Sequence, residues 1–262
     1  MNLDLTGKTA LVCGSTQGIG KATAIELALL GANVTLMARN EAALADTLNE
    51  LGAKPGQIHR YIVADFGEPG GVKTAIDAYL TQHPDVHILI NNTGGPAGGP
   101  LIDATLEQFT QTFHNHVLNN QTLVQAVVAA MTRLGYGRIV NIISTSVKGP
   151  IVGLGVSNTI RGAVAQWAKT LSLELGKFGI TVNNVLPGST QTARIDSLIV
   201  SRAQRSGQSE DEIRAQMIGE IPIGRFATAE EVAAATAFLC TPAAASISGI
   251  NLPVDGGKTS GL

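Results

Sequence analysis

The chain has 262 residues, of which only 15 % are charged, against roughly 25 % in an average soluble domain. Its 44 % apolar content and formal net charge of −2 exclude a disordered chain, since aliphatic surface is plentiful and repulsion slight. The same balance offers no electrostatic case for nucleic acid or an anionic membrane, which leaves a small molecule as the expected partner.

Short aliphatic runs alternate with longer amphipathic ones from the first residues onward. A strand is expected at 9–13, a helix at 21–30, a strand at 33–37 and a helix at 41–51. The rhythm continues with a strand at 57–64, a helix at 70–82 and a strand at 87–91. A long helix is expected at 106–134, opened by Thr105 with Gln108 three residues on, close to a capping box. Then follow a strand at 138–144, a helix at 158–177, strands at 181–186 and 251–254, and between these two a helix at 229–239. Alternation of this kind predicts βαβ units in one α/β domain over 1–262, with a parallel sheet covered on both faces. Residues 193–219 break the rhythm. They are more polar and follow the sixth strand, at whose carboxyl end open sheets bind ligands, so they read as a mobile substrate flap.

Only Cys13 and Cys240 are present, far apart and in no metal-ligand spacing, which suggests a reducing compartment. No secretory signal is visible, and no apolar run approaches the roughly 18 residues that span a bilayer. A cytoplasmic protein is expected.

The first strand runs straight into Gly14-Ser15-Thr16-Gln17-Gly18-Ile19-Gly20 and then a helix. Glycines there let the backbone turn sharply and approach a pyrophosphate, which the helix N-terminus attracts through its free N–H groups. A plain tight turn is the competing explanation. The strand–loop–helix context at the start of an α/β chain favours a nucleotide site.

This loop, Asn91-Asn92-Thr93-Gly94, Gly179-Ile180-Thr181-Val182-Asn183, Pro187-Gly188, Ile221-Pro222-Ile223-Gly224-Arg225 and Val254-Asp255-Gly256-Gly257 together resemble the short-chain dehydrogenase/reductase family. The likeness is to its 3-oxoacyl-carrier-protein reductase type and covers essentially the whole chain. It implies a Rossmann-like, doubly wound sheet of about seven strands, a nicotinamide cofactor, and a homodimer or homotetramer. By the same resemblance Gly14, Ser15, Thr16, Gln17, Gly18, Ile19 and Gly20 lie along the pyrophosphate. Asp65 and Phe66 fall at the adenine, and Asn91 and Gly94 on the adenosine side. Thr192 falls at the nicotinamide carboxamide, and Pro187 and Gly188 are further cofactor-binding positions. Cys13 replaces the family's usual threonine and touches no chemistry. At the second strand's end an acidic residue would accept the hydroxyls of an adenosine ribose, but here Ala38 and Arg39 stand. A guanidinium suits the 2′-phosphate of NADP, so NADP is expected over NAD, the competing reading being a solvated loop cation.

The resemblance also implies a relay of serine, tyrosine, lysine and asparagine. Ser144 keeps the serine position, but Ser157 stands where the tyrosine is expected and Arg161 where the lysine is. No slip of alignment helps, because the only tyrosines are Tyr61, Tyr79 and Tyr136. The asparagine position falls on His116, one residue after Asn115. A serine is far less acidic than a tyrosine, and an arginine stays protonated, so neither can shuttle a proton. That leaves His116 as the one nearby side chain suited to acid–base work. Blander readings are a helix cap for Ser157, a surface cation for Arg161 and a satisfied packing residue for His116. His114 and His116 do not suggest a metal, because residues two apart on a helix face different ways. Two functions remain: an NADP(H)-dependent oxidoreductase with a modified relay, or a nucleotide-binding sensor or assembly subunit that has lost catalysis.

Overall fold

The computed structural model describes residues 1–260. Its strands are β1 (Thr9–Cys13), β2 (Asn33–Ala38), β3 (Arg60–Val63), β4 (Ile88–Asn91), β5 (Gly137–Ile142), β6 (Ile180–Pro187) and β7 (Asn251–Val254). The helices are α1 (Gly18–Leu29), α2 (Glu41–Glu50), α3 (Gly71–Gln82), α4 (Leu106–Phe113), α5 (Asn119–Leu134), α6 (Gly155–Leu175), α7 (Ala193–Ser206), α8 (Glu210–Gly219) and α9 (Ala229–Cys240). All seven strands pair in parallel, in the order β3-β2-β1-β4-β5-β6-β7. The winding therefore reverses between β1 and β4, which opens a crevice at their carboxyl ends.

Alternate residues of each strand feed two cores, as the period of two requires. Ala10, Val12, Ile88 and Ile90 pack with Leu27 of α1 and Val232 of α9 on one face. Leu11, Cys13 and Leu89 pack with Ile76 of α3, Leu123 of α5 and Ala168 of α6 on the other. Burial pushes both thiols, Cys13 and Cys240, up to about 12, so neither is reactive. Among the described residues no helix is long and apolar enough to cross a membrane.

Several boundaries differ from those expected, each for a local reason. The run at 57–64 forms a strand only over Arg60–Val63, because Gln57 turns to donate to the Ala28 and Ala32 carbonyls. Helix α6 begins at Gly155, whose missing β-carbon lets the helix start lie against Leu101. The long helix expected at 106–134 is interrupted. Thr105 and Gln108 form the capping box, α4 stops at Phe113, and His114–Leu118 make a π turn before α5. Such turns widen a helix and recur at functional sites.

The segment at 193–219 folds as the helix pair α7 and α8, with Ile195, Ile199, Ile213 and Met217 sharing a small core of their own. It is thus a packed helical cover that follows the carboxyl end of β6.

One feature escaped the sequence reading altogether. Asn91, Asn141, Asn184 and Asn251 lie in register on β4 to β7, and their amides bond in series at 2.8, 2.9 and 2.8 Å.

Candidate active site at the sheet switch point

The loop after β1 is shaped by its glycines. Gly14 and Gly18 hold φ of 58° and 52°, and a β-carbon on Gly20 would stand 2.1 Å from the Gly14 carbonyl oxygen. Only glycine fits such a turn. Asn92 fastens it from β4, its amide donating to the carbonyls of Cys13 and Gly14 at 3.3 and 3.2 Å. Helix α1 then starts with no side-chain cap and no acid in its first turn. Helices α2, α4, α8 and α9 are all capped by side chains, from Asn40, Thr105, Ser209 and Thr228. Helices α3, α6 and α7 also start without a side-chain cap, so it is the glycine turn leading into α1, with the free N–H groups behind it, that suits a bound phosphate. The donor set fits a dinucleotide.

The neighbouring residues arrange themselves around that start. The Thr192 methyl lies 3.2 Å from the place of a Gly18 β-carbon, so the β6–α7 connection crosses over the loop. Gly188 packs against Asp255 and donates to the Val254 carbonyl at 3.0 Å, which holds Pro187 and the end of β6 in place. Arg39 is exposed just past β2, and Gly94 has open space around it. Asp65 accepts the Gly67 N–H at 2.8 Å, and Phe66 turns its ring to the second core.

Two expected cofactor contacts are differently employed. Ser15 is fully buried and its hydroxyl accepts the Met37 N–H at 3.1 Å, so only its backbone can face a ligand. Asn91 is 2 % exposed and its amide belongs to the asparagine ladder, so its side chain does not line the crevice.

Ser144 follows β5 half-buried, its Oγ accepting the Ser146 N–H at 3.1 Å. Ser157 is not a helix cap. Leu154 holds that place, and Ser157 sits half-buried in the first turn of α6 with no side-chain partner among the described residues. Arg161, one turn on and on the same face, is not a surface cation either. It is 7 % exposed and donates from Nη1 to the Ile142 carbonyl at 3.0 Å. Burial, and then the Arg194 cation, bring its pKa down to about 10, which leaves it charged at neutrality.

The structure corrects the role expected of His116. It lies in the π turn, 2 % exposed, while Asn115 turns instead to Gln111 and the Phe66 carbonyl. Burial and the Arg161 cation push His116 from 6.5 down to about 2, against a smaller opposing bond to the Gly94 backbone. Such an imidazole is neutral and cannot be an acid near pH 7. Arg194, at the start of α7, joins this group by donating to the Pro96 carbonyl at 2.6 Å. Asn92 and Arg194 were absent from the residues expected at the site; Asn92 stood in the N-N-T-G run, whereas nothing local marks Arg194.

A groove of about 450 Å³ shares no residue with this cluster. It runs along the cover between Val152, Met217 and Arg202. Gly99 bonds to the Gly153 carbonyl at 2.7 Å, closing the two loops together beside it.

A family model described as Enoyl-(Acyl carrier protein) reductase matches residues 14–259. The chain belongs to the short-chain dehydrogenase/reductase family. It is 31 % identical over 257 residues to the 3-oxoacyl-acyl-carrier-protein reductase of Vibrio cholerae, covering 97 % of this chain and 98 % of that one. A variant of the actinorhodin polyketide ketoreductase, solved with NADPH, superposes with a TM-score of 0.90 at 31 % identity, over 97 % and 98 % of the two chains. The L-sorbose reductase of Gluconobacter frateurii, solved with NADPH and L-sorbose, gives 0.92 at 28 % identity over the full length of both.

In this short-chain dehydrogenase/reductase the neutral His116 has a measurable consequence. The unfolded chain binds a proton on this side chain below pH 6.5 and the folded one does not, so stability is complete above 6.5 and falls as pH falls. Between pH 7 and pH 5 the wild type should lose about 2 kcal/mol more stability to unfolding than His116→Gln does. Equal pH slopes in the two proteins would show that His116 titrates normally.

Proposed function

We propose that the protein is an NADP(H)-dependent oxidoreductase acting on a small carbonyl compound or an activated double bond, with a modified proton relay. The carrying observation is that the glycine turn after β1 and the Ser144 position after β5, with Ser157 and Arg161 on α6, belong to the carboxyl edge of one parallel sheet. The likeness to two reductases solved with NADPH supports this choice of cofactor. A bound nicotinamide supplies the hydride.

The chain's own residues then have distinct tasks. Gly14 to Gly20 and the α1 N–H groups hold the pyrophosphate, Arg39 the 2′-phosphate, and Thr192 the carboxamide. Ser144 and Ser157 donate hydrogen bonds to the reacting oxygen. Arg161 stabilises negative charge as it develops there, an effect worth most in a dry site. Neither Arg161 nor the neutral His116 releases a proton near pH 7, so the proton comes from water. Helices α7 and α8 cover the substrate.

Assembly as a dimer or tetramer through α4, α5 and α6 belongs to the same reading. Val124, Val127 and Val164 on these helices serve the protein's own cores, but Leu106, Phe113, Leu118 and Leu173 are exposed. Those side chains are what a symmetric contact would cover.

The cofactor assignment rests on Arg39. Arg39→Asp should weaken NADPH more than tenfold and spare NADH, because a carboxylate then faces the phosphate, a change of at least ~1.4 kcal/mol. Isothermal titration showing equal losses for both cofactors would remove Arg39 from the site.

A further inference from the structure

Two guanidinium groups converge above Gly95, and among the described residues no carboxylate pairs with them. A β-carbon on Gly95 would lie 3.6 Å from Nη2 of Arg194 and 3.8 Å from Nη2 of Arg161. Both cationic heads therefore border one small space above Gly95. Arg161 is 7 % exposed, and each fork is oriented by a backbone carbonyl, Ile142 for Arg161 and Pro96 for Arg194. A carbonyl fixes direction without cancelling charge. Among the described residues neither arginine forms an ion pair, although six ion pairs form elsewhere. The remaining titratable neighbour of Arg161, His116, is neutral. Two like charges, one of them buried, destabilise the fold unless an anion joins them.

We propose that Arg161 and Arg194 together bind a carboxylate of the substrate, which makes the natural substrate an oxo acid or an unsaturated acid. This rests on the oxidoreductase reading above, which places the reacting group at Ser144 and Ser157. Planar forks on two sides suit a carboxylate, which can accept a paired hydrogen bond from each guanidinium. Because Arg161 lies one helical turn from Ser157, the carboxylate is held next to the reacting centre. The helix that carries Arg194 also carries the cover, so binding of the anion ties α7 to the loop at Gly95 and Pro96.

Calorimetric titration of the full-length protein, with and without NADP, tests this. The probes are benzoylformate and cinnamate, each compared with its own primary amide. Each carboxylate should bind at least tenfold more tightly than its amide. Arg194→Gln, a substitution at an exposed position, should abolish most of that preference. Gly95→Ala keeps both cations and introduces no backbone strain, yet should weaken the carboxylates by placing a methyl between the forks. Equal binding of acid and amide, a preference that survives Arg194→Gln, or no binding of either carboxylate at millimolar concentration overturns the proposal. NADPH binding, followed separately by its fluorescence, reports on the oxidoreductase reading. Carboxylate preference without NADPH binding would leave the anion site standing and reject the cofactor.

Discussion

The purified protein is expected to bind NADPH and yet reduce simple neutral ketones about 10²–10⁴-fold more slowly than a short-chain reductase with tyrosine and lysine in the relay. That factor is what a positioned general acid ordinarily contributes. Ser157 can donate a hydrogen bond but cannot release its proton as a tyrosine can. Arg161 stays charged with a pKa near 10, and His116 carries no proton to give near neutrality. Ser157→Tyr combined with Arg161→Lys should raise the rate on a simple ketone, whereas Arg161→Lys alone should not. Steady-state oxidation of NADPH measures both. Rapid turnover of simple ketones by the wild type, unchanged in Ser157→Ala and Arg161→Gln, would show that this account of the relay is wrong.

Replacing Asn141 by leucine should destabilise the fold by about 2–6 kcal/mol, a large share of the roughly 5–15 kcal/mol typical of a domain. Asn141 is fully buried, accepts from Asn91 at 2.8 Å and donates to Asn184 at 2.9 Å. Leucine keeps the branched shape with bulkier ends, so it fills the site while two buried polar groups lose their partner. Each such group costs about 1–3 kcal/mol. Asn251, at the outer end of the ladder and half-exposed, is the control. Asn251→Ala should cost much less, because water replaces the lost bond. Urea denaturation of the two variants decides the matter, and equal small losses would show that the ladder adds nothing to stability.

Much of the fold could be read from periodicity. All seven strands and the principal helices lie where alternating apolar runs put them, and the Thr105–Gln108 cap has the geometry that its spacing implies. The exceptions share one cause. Gln57 leaves its strand for carbonyls of α1 and the turn after it, some 25 residues back, and the π turn at His114–Leu118 continues a helical pattern without a local break. Neither has a signature within its own window of sequence. The asparagine ladder was equally hidden, since its four members are spread over 160 residues and meet only through strand register.

For the site, the sequence by itself determined what is local or countable. The glycine turn before α1 follows from residues a few positions apart, and the lack of any tyrosine between Ser144 and Val185 is a matter of inspection. Charge states and meetings at a distance belonged to the tertiary structure alone. His116 loses its proton because burial, and then the Arg161 cation that α6 lays beside it, disfavour the charged imidazole. Arg161 and Arg194 share the space above Gly95 because β6 carries the chain back across the sheet between them. Desolvation and Coulomb forces act through space, so no reading along the chain could assign them.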